Sequence, residues 1–349
     1  MRKFDYSFLD NGLLPANLVN LTSVIYSLKT GAEIRKDEYE KMFIELEKIA
    51  KVQSVKSSNA IEGIITSDER IKEIVNQSSE PLNHNEQEIA GYRDALNQIH
   101  LHYNDIEFNE NTILKIHEIM MSYGGYEYGG KYKIDDNLII EENKDGTRKV
   151  RFKPLAAKET PKAMEQLVLA YIDASNNSNI NQLLLIPCVI LDFLCIHPFK
   201  DGNGRMSRLL SLLLLYKNGF DAWKYVSFEE QINNNKGYYY ETLKQSSTFW
   251  DTNENTYIPF MQNFLSTLYM CYKELDKRFN VVNSNKITKK ARIEATVLNS
   301  LTAISKTEIC NVLPDVSPTT VEAVLGAMVR DGRIQIIGKG KNTKYIRNI

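Results

Sequence analysis

His197-Pro198-Phe199-Lys200-Asp201-Gly202-Asn203-Gly204-Arg205-Met206-Ser207-Arg208 joins two apolar stretches, and that junction decides the fold. An apolar helix is expected over 182–196 and a second over 205–218, with Gly219 as its cap. Taken singly the pieces are ordinary: His-Pro stops a helix and Asp-Gly-Asn-Gly makes a turn. Taken together they make a site. Gly202 and Gly204 permit turns closed to other residues and let a ligand approach the backbone. The N–H groups of such a loop and of the following helix N-terminus form an anion nest. Arg205 and Arg208 are three apart, so both guanidinium groups reach one neighbourhood. Asp201 offers the hard oxygen that Mg²⁺ takes when it is shared with phosphates. His197 is suited to accept a proton near neutral pH. These parts sum to a polyphosphate site with a base at its edge. A calcium loop beginning at Asp201 is excluded, because its twelfth position is Leu212 rather than a carboxylate.

Outward from the loop, helical spacing dominates. Over the first 90 residues Asp37 reads as an N-cap, and Met42, Phe43, Leu46, Ile49 and Ala50 recur at helical intervals. That character continues to Ile61, where Gly63 can serve as a left-handed cap. A polar connection over 77–86 leads to a helix over 87–103, and further helices are expected over 161–174, 236–246 and 257–279. One exception interrupts them. Segments 137–142 and 147–153 are strand-like and joined by the turn-rich Asn143-Lys144-Asp145-Gly146, which reads as a β-hairpin. After a linker at 280–285 come two or three short helices. Strands at 333–337 and 343–346 follow, around Gly338-Lys339-Gly340-Lys341, the order of a winged helix-turn-helix. The fold class is mainly α, with an N-terminal helical region (1–90), a helical core carrying the hairpin (91–280) and a winged helix-turn-helix (285–349).

A chain of 349 residues can build two or three packing units. Charged residues make up 25% and the hydrophobic set 43%, which argues for a soluble globular protein without long disorder. The net charge of −1 gives the whole molecule no reason to seek nucleic acid or an anionic membrane. It hides an asymmetry: from Ser284 onward 11 Lys and Arg face 5 Asp and Glu, so the tail carries +6 and the remainder −7. The start, MRKFDYSFLDNG, lacks the apolar core of a secretory signal. The most apolar run, 186–196, contains Asp192 and is too short to span a bilayer. Cys188, Cys195, Cys271 and Cys310 form no CxxC pair, and the first two read as buried apolar residues. A reduced, cytoplasmic protein is expected.

The twelve residues from His197 resemble the signature of the Fic family, HPFx(D/E)GNGRxxR, and match it at all nine fixed positions. The resemblance runs from the N-terminal helices to about residue 280. It implies a transferase that moves AMP from ATP to a Ser, Thr or Tyr hydroxyl, with pyrophosphate leaving. On that likeness His197 would be the general base, and Asp201 would hold Mg²⁺ between the α- and β-phosphates. Gly202, Asn203 and Gly204 would form the anion hole, with Lys200 among the nucleotide-binding residues. Arg205 would meet the β-phosphate and Arg208 the γ-phosphate, while Phe199 would anchor the loop in the core. Ser58-Asn59-Ala60-Ile61-Glu62-Gly63 resembles the family's inhibitory motif (S/T)xxxE(G/N). This implies that Glu62 pairs with Arg208 and leaves ATP in a non-productive pose. A plain helix end fits the same residues; a capping box does not, since Ser58 and Glu62 are four apart.

Other positions follow the likeness less closely. The hairpin at 137–153 sits where the family has its flap, whose edge could pair with an extended segment of a target protein. In GKYK (130–133), Lys133 stands where the family pattern has Arg. Asn235, Tyr239 and Tyr240 resemble residues at the adenine end, where an aromatic and an amide suit a flat base. His117 reads as a structural histidine on a helix. His100 and His102 would point apart on a helix and make no metal site. The tail has two readings: 319–330 in a DNA groove with Arg330, Arg333, Lys339 and Lys341 on phosphates, or a protein-contact module. The expected activity is Mg²⁺- and ATP-dependent protein adenylylation held back by Glu62. The alternatives are a deAMPylase using the same site and an ATP-sensing DNA-binding regulator. A homodimer stays open, and no membrane association is expected.

Overall fold

The computed structural model describes residues 2–142, 148–283, 288–298, 300, 303–338, 340 and 343–348. The N-terminal half runs α1 (Phe8–Asn11), α2 (Ala16–Glu38), α3 (Glu40–Ile61), α4 (Asp68–Gln77), α5 (His84–His102) and α6 (Glu110–Met120). A hairpin of β1 (Ile139–Glu142) and β2 (Arg148–Phe152) follows. Then come α7 (Thr160–Asn176), α8 (Gln182–Ile196), α9 (Asn203–Lys217), α10 (Phe228–Asn234), α11 (Lys236–Ser247) and α12 (Ile258–Asn283). The tail holds α13 (Lys289–Leu298), β3 (Ile304–Ser305), α14 (Lys306–Val312), α15 (Pro318–Arg330), β4 (Ile334–Ile337) and β5 (Lys344–Arg347). The protein is mainly helical, as its sequence predicts.

α8 and α9 form the axis of the core. Every residue from Leu183 to Ile196 is buried, and so is nearly all of α9. A helix apolar on all sides must be surrounded, and α5, α7, α11 and α12 pack around this pair. Asp192, the one charge in α8, is neutralised rather than exposed. It accepts from Arg2 (3.1 Å), Tyr6 (2.8 Å), Trp250 (2.6 Å) and Tyr257 (2.9 Å), as a buried carboxylate requires. This network pins the N-terminal segment to the helix that ends at His197. α3 lies against α5, α9 and α10, and α14 packs on α3. In the tail the sheet order is β3-β5-β4, antiparallel throughout.

Several expectations need correction. Asp37 is no N-cap: α2 continues to Glu38, and the break falls at Tyr39, whose ring packs near Phe279 at 5.9 Å. Residues 280–283, expected as the start of a linker at 280–285, instead belong to α12, which runs on to Asn283 past the buried Phe279. α10 and β3 were not anticipated. The expected turn at 143–146, the remainder of the expected linker (284–285), and Lys339 and Lys341 lie outside the described residues. Cys188, Cys195 and Cys271 are buried thiols, and Cys310 is partly buried. Among the described residues no helix is long and apolar enough to cross a membrane.

Candidate active site

His197 caps α8 in the left-handed region, with φ 52° and ψ 61°. For a residue with a Cβ that conformation costs about 1–3 kcal/mol and persists only where its surroundings over-determine it. Several contacts do so. The His197 N–H donates to Phe193 O at 2.9 Å. Lys133 donates from Nζ to Ile196 O at 3.1 Å and from its backbone N–H to Pro198 O at 2.8 Å, bracketing His197 from both sides. The Asn203 side chain accepts from the Phe199 N–H (2.9 Å) and donates to the Phe199 carbonyl (2.8 Å). Asn203 thus serves the loop with its side chain, both ends of which are taken by Phe199.

His117 supports the loop from below. Its ring stacks on Phe199 with centroids 3.7 Å apart. Nδ1 accepts from the Gly130 N–H at 3.0 Å, which fixes the tautomer and leaves Nε2 to donate to Asp201 O at 3.1 Å. Burial lowers its pKa to about 4. It is structural, as predicted. Gly202 (φ 79°) closes the turn where a Cβ would lie 2.6 Å from Met120 Cε. From Asn203 the chain enters α9, whose first N–H groups have no intrahelical acceptor and point into the nest.

Two cavities meet here. One, of about 390 Å³, is lined by Tyr239, Tyr240, Leu243, Arg151 and the base of the hairpin. The other, of about 330 Å³, is lined by His84, Glu88, Lys200, Asp201 and the 202–205 loop. His197, Gly204 and Glu62 line both. Burial, followed by the charge of Lys133, lowers the His197 pKa to about 4, and its Nδ1 is buried without a partner. The ring is therefore neutral at neutral pH, the form that accepts a proton.

Arg208, 3% exposed, donates from Nε to Ser58 Oγ (2.8 Å) and from Nη2 to both Ser58 O (3.0 Å) and Glu62 Oε1 (2.7 Å). A Cβ on Gly204 would overlap that Glu62 oxygen, so the glycine makes room for the carboxylate. Gly63, at φ 82°, turns the chain immediately after Glu62. Arg205 pairs with Glu88 of α5, a partner 117 residues away that sequence reasoning missed. Asp201 keeps a 60% exposed carboxylate, 3.8 Å from Arg205 Nη2. Among the described residues no group of three metal-ligating side chains gathers. A lone exposed carboxylate fits a Mg²⁺ ion that takes its other ligands from phosphates and water. Lys200 sits over the Tyr128 ring at 5.2 Å.

Of the three residues expected at an adenine end, Tyr239 and Tyr240 line the larger cavity and Asn235 does not. Asn235 lies exposed at the break between α10 and α11, its amide 3.5 Å from Gln231 O. Arg151 of β2 takes the place beside the tyrosines, 4.7 Å over the Tyr240 ring and donating to Tyr240 O at 2.9 Å. His100 is buried beside Tyr216 while His102 is exposed, so the two diverge.

The fold is thus a helical one built around an HPFx(D/E)GNGRxxR loop held between two buried helices. Residues 107–215 match the model of the Fic/DOC family, and the chain carries a Fic domain. A Fido domain-containing protein of Dictyostelium discoideum is 27% identical over 101 residues; the match spans 28% of this chain and 66% of that one, just under two thirds of its length. A Fic family protein from Desulfovibrio desulfuricans shares the fold at a TM-score of 0.62 and 21% identity, covering 96% of this chain and 97% of its own. A Fic domain-containing signaling protein from Bacteroides thetaiotaomicron aligns at 0.58 and 22%, over 72% of this chain and 95% of its own. Fic-1 from C. elegans aligns at 0.55 and 16%, over 76% and 73%. At these identities the structural likeness is one of fold.

Proposed function

We propose that this protein transfers AMP from ATP to a Ser, Thr or Tyr hydroxyl of a target protein, releasing pyrophosphate, and that Glu62 restrains it. The observation that carries the reading is the meeting of a neutral His197, an anion nest and the Arg208–Glu62 pair around one pair of cavities. The tyrosine-lined cavity would take the adenosine and the cavity beside Asp201 the phosphates. The target oxygen attacks the α-phosphorus and forms a P–O bond, while His197 takes the hydroxyl proton. The bond from that phosphorus to the oxygen bridging the β-phosphate breaks, and the electron pair leaves on pyrophosphate. Nest N–H groups and Arg205 meet the charge developing on the phosphates. Asp201 would hold Mg²⁺, which when bound supplies charge neutralisation to the triphosphate.

While Glu62 occupies Arg208, the γ-phosphate lacks its arginine and ATP settles without in-line geometry. The test is incubation of wild type, Glu62→Gly and Glu62→Gly/His197→Ala with Mg²⁺ and α-labelled ATP, reading label on protein. Label in Glu62→Gly, weak in wild type and absent in the double variant, is expected. Absence of label from all three, with folded protein and a panel of candidate targets, would overturn the transferase reading. One observation favours deAMPylation as a second reading: Glu62 lines both cavities and so stands where a carboxylate could activate a water. Release of AMP from an adenylylated target would select it.

A further inference from the structure

Arg205 and Glu88 form an ion pair with both side chains out of water, at 2% and 4% exposure. Glu88 lies within α5, and its other oxygen accepts from the Tyr126 hydroxyl at 2.5 Å. One terminal nitrogen of Arg205, Nη1, is thereby fixed. The second, Nη2, is 3.8 Å from the Asp201 carboxylate, and Nε has no partner although buried. Glu88, Asp201 and Arg205 all line the cavity of about 330 Å³. The arginine therefore stands between two carboxylates, held by the buried one and near the exposed one.

A buried guanidinium that loses its partner must find another anion. Asp201 already stands at the edge of ion-pair distance from Arg205, at 3.8 Å, and a small rotation would shorten that contact to a full pair. That collapse would remove two functional groups together: the donor for the phosphates and the oxygen available to a cation. We propose that Glu88 is a positioning residue that holds Arg205 off Asp201, leaving Arg205 Nη2 to bind phosphate and Asp201 to bind a cation. The inference rests on reading this cavity as the phosphate end of the nucleotide site.

The test is a double-mutant cycle read by calorimetry, in a Glu62→Gly parent so that Arg208 is free. The probe is pyrophosphate without metal, and the variants are Glu88→Ala, Asp201→Asn and the two combined. Glu88→Ala is expected to weaken pyrophosphate binding at least tenfold when Asp201 is present and less than threefold in the Asp201→Asn background. A purely structural role would give the same loss in both backgrounds. Tighter binding in Glu88→Ala would mean that Glu88 merely competes for Arg205. Either result overturns the proposal. If Glu88→Ala does not fold, Glu88→Gln replaces it, with the same sign and a smaller change; failure of both to fold assigns Glu88 to stability alone. Turnover is not needed for this measurement. Absence of label transfer would remove the adenylylation reading and leave the coupling standing, whereas a parent that binds no pyrophosphate would remove the phosphate site and the proposal with it.

Discussion

Glu62→Gly removes one of the three contacts that hold Arg208, and the size of its effect can be worked from the geometry. The lost contact is a charge-assisted hydrogen bond of 2.7 Å. Such bonds contribute about 1.5–3 kcal/mol. Glu62 is 31% exposed, so solvent screening places this one in the lower part of that range, about 1.5–2 kcal/mol. Both bonds to Ser58 remain, which keeps the guanidinium in place for the incoming γ-phosphate. At 1.36 kcal/mol per tenfold, removing the competitor should raise the rate of label transfer at sub-saturating ATP about 10- to 30-fold. The assay is the initial rate of α-label incorporation, with Glu62→Gln alongside. The glutamine keeps an acceptor but loses the charge, so it should fall between wild type and Glu62→Gly. An unchanged rate in Glu62→Gly, with the protein folded and ATP bound, would show that Arg208 is not what the glutamate withholds.

Two further outcomes follow from burial and charge. His117 and His197 both have pKa values lowered to about 4 by burial, from an ordinary value of 6.5. Below pH 6.5 the unfolded chain takes up protons that the folded chain refuses, so stability should fall as pH drops from about 6.5 toward 4 and stay level with respect to these groups above about 7. Urea midpoints at pH 7 and pH 5 measure this, and His117→Ala and His197→Ala should each flatten the dependence; a slope indifferent to both would refute the assignment. In the tail, Arg292, Lys306, Arg333 and Lys344 are tied to Asp315, Glu322, Glu294 and Glu308. These four pairs leave the tail's excess of +6 in place, so the groove-binding reading predicts duplex binding that weakens steeply with salt, and a titration showing no salt-dependent binding would refute it.

What the sequence disclosed was whatever lies close along the chain. The 197–208 loop is legible because its base, turn glycines and arginines are consecutive, and α8 and α9 because their apolar runs permit no exposed face. Gly63 and Gly219 mark helix ends and do adopt positive φ. Contacts made by tertiary approach were legible only where the family likeness supplied them, as for Glu62 and Arg208; the others were not, since Glu88 is 117 residues from Arg205 in the chain and Arg151 is 89 residues from Tyr240. Asn235 misleads for a local reason. It is four residues from Tyr239 and would share its face in one continuous helix, but the helix breaks at Asn235 and the amide turns outward. Lys133 is instructive in the opposite direction. It stands where the family pattern has Arg, yet it grips the backbone on both sides of His197, since a single ammonium can reach the Ile196 carbonyl.

The two arginines of the loop are each held by a glutamate, and the fold determines which hold can be released. Glu88 projects from within a helix into a site where neither partner meets water, and breaking a buried pair costs about 3–5 kcal/mol. Freeing it would also strand the Tyr126 hydroxyl bond. Glu62 sits one residue past the end of α3, a third exposed, and is followed by a glycine already in the left-handed region. Swinging the partly exposed Glu62 side chain away needs no movement of a buried helix, and a phosphate brings at least the carboxylate's negative charge to Arg208. The same chemical pair therefore serves opposite ends: mid-helix and dry, it fixes an arginine in place; at a helix terminus and wet, it makes an arginine conditional on what else is bound.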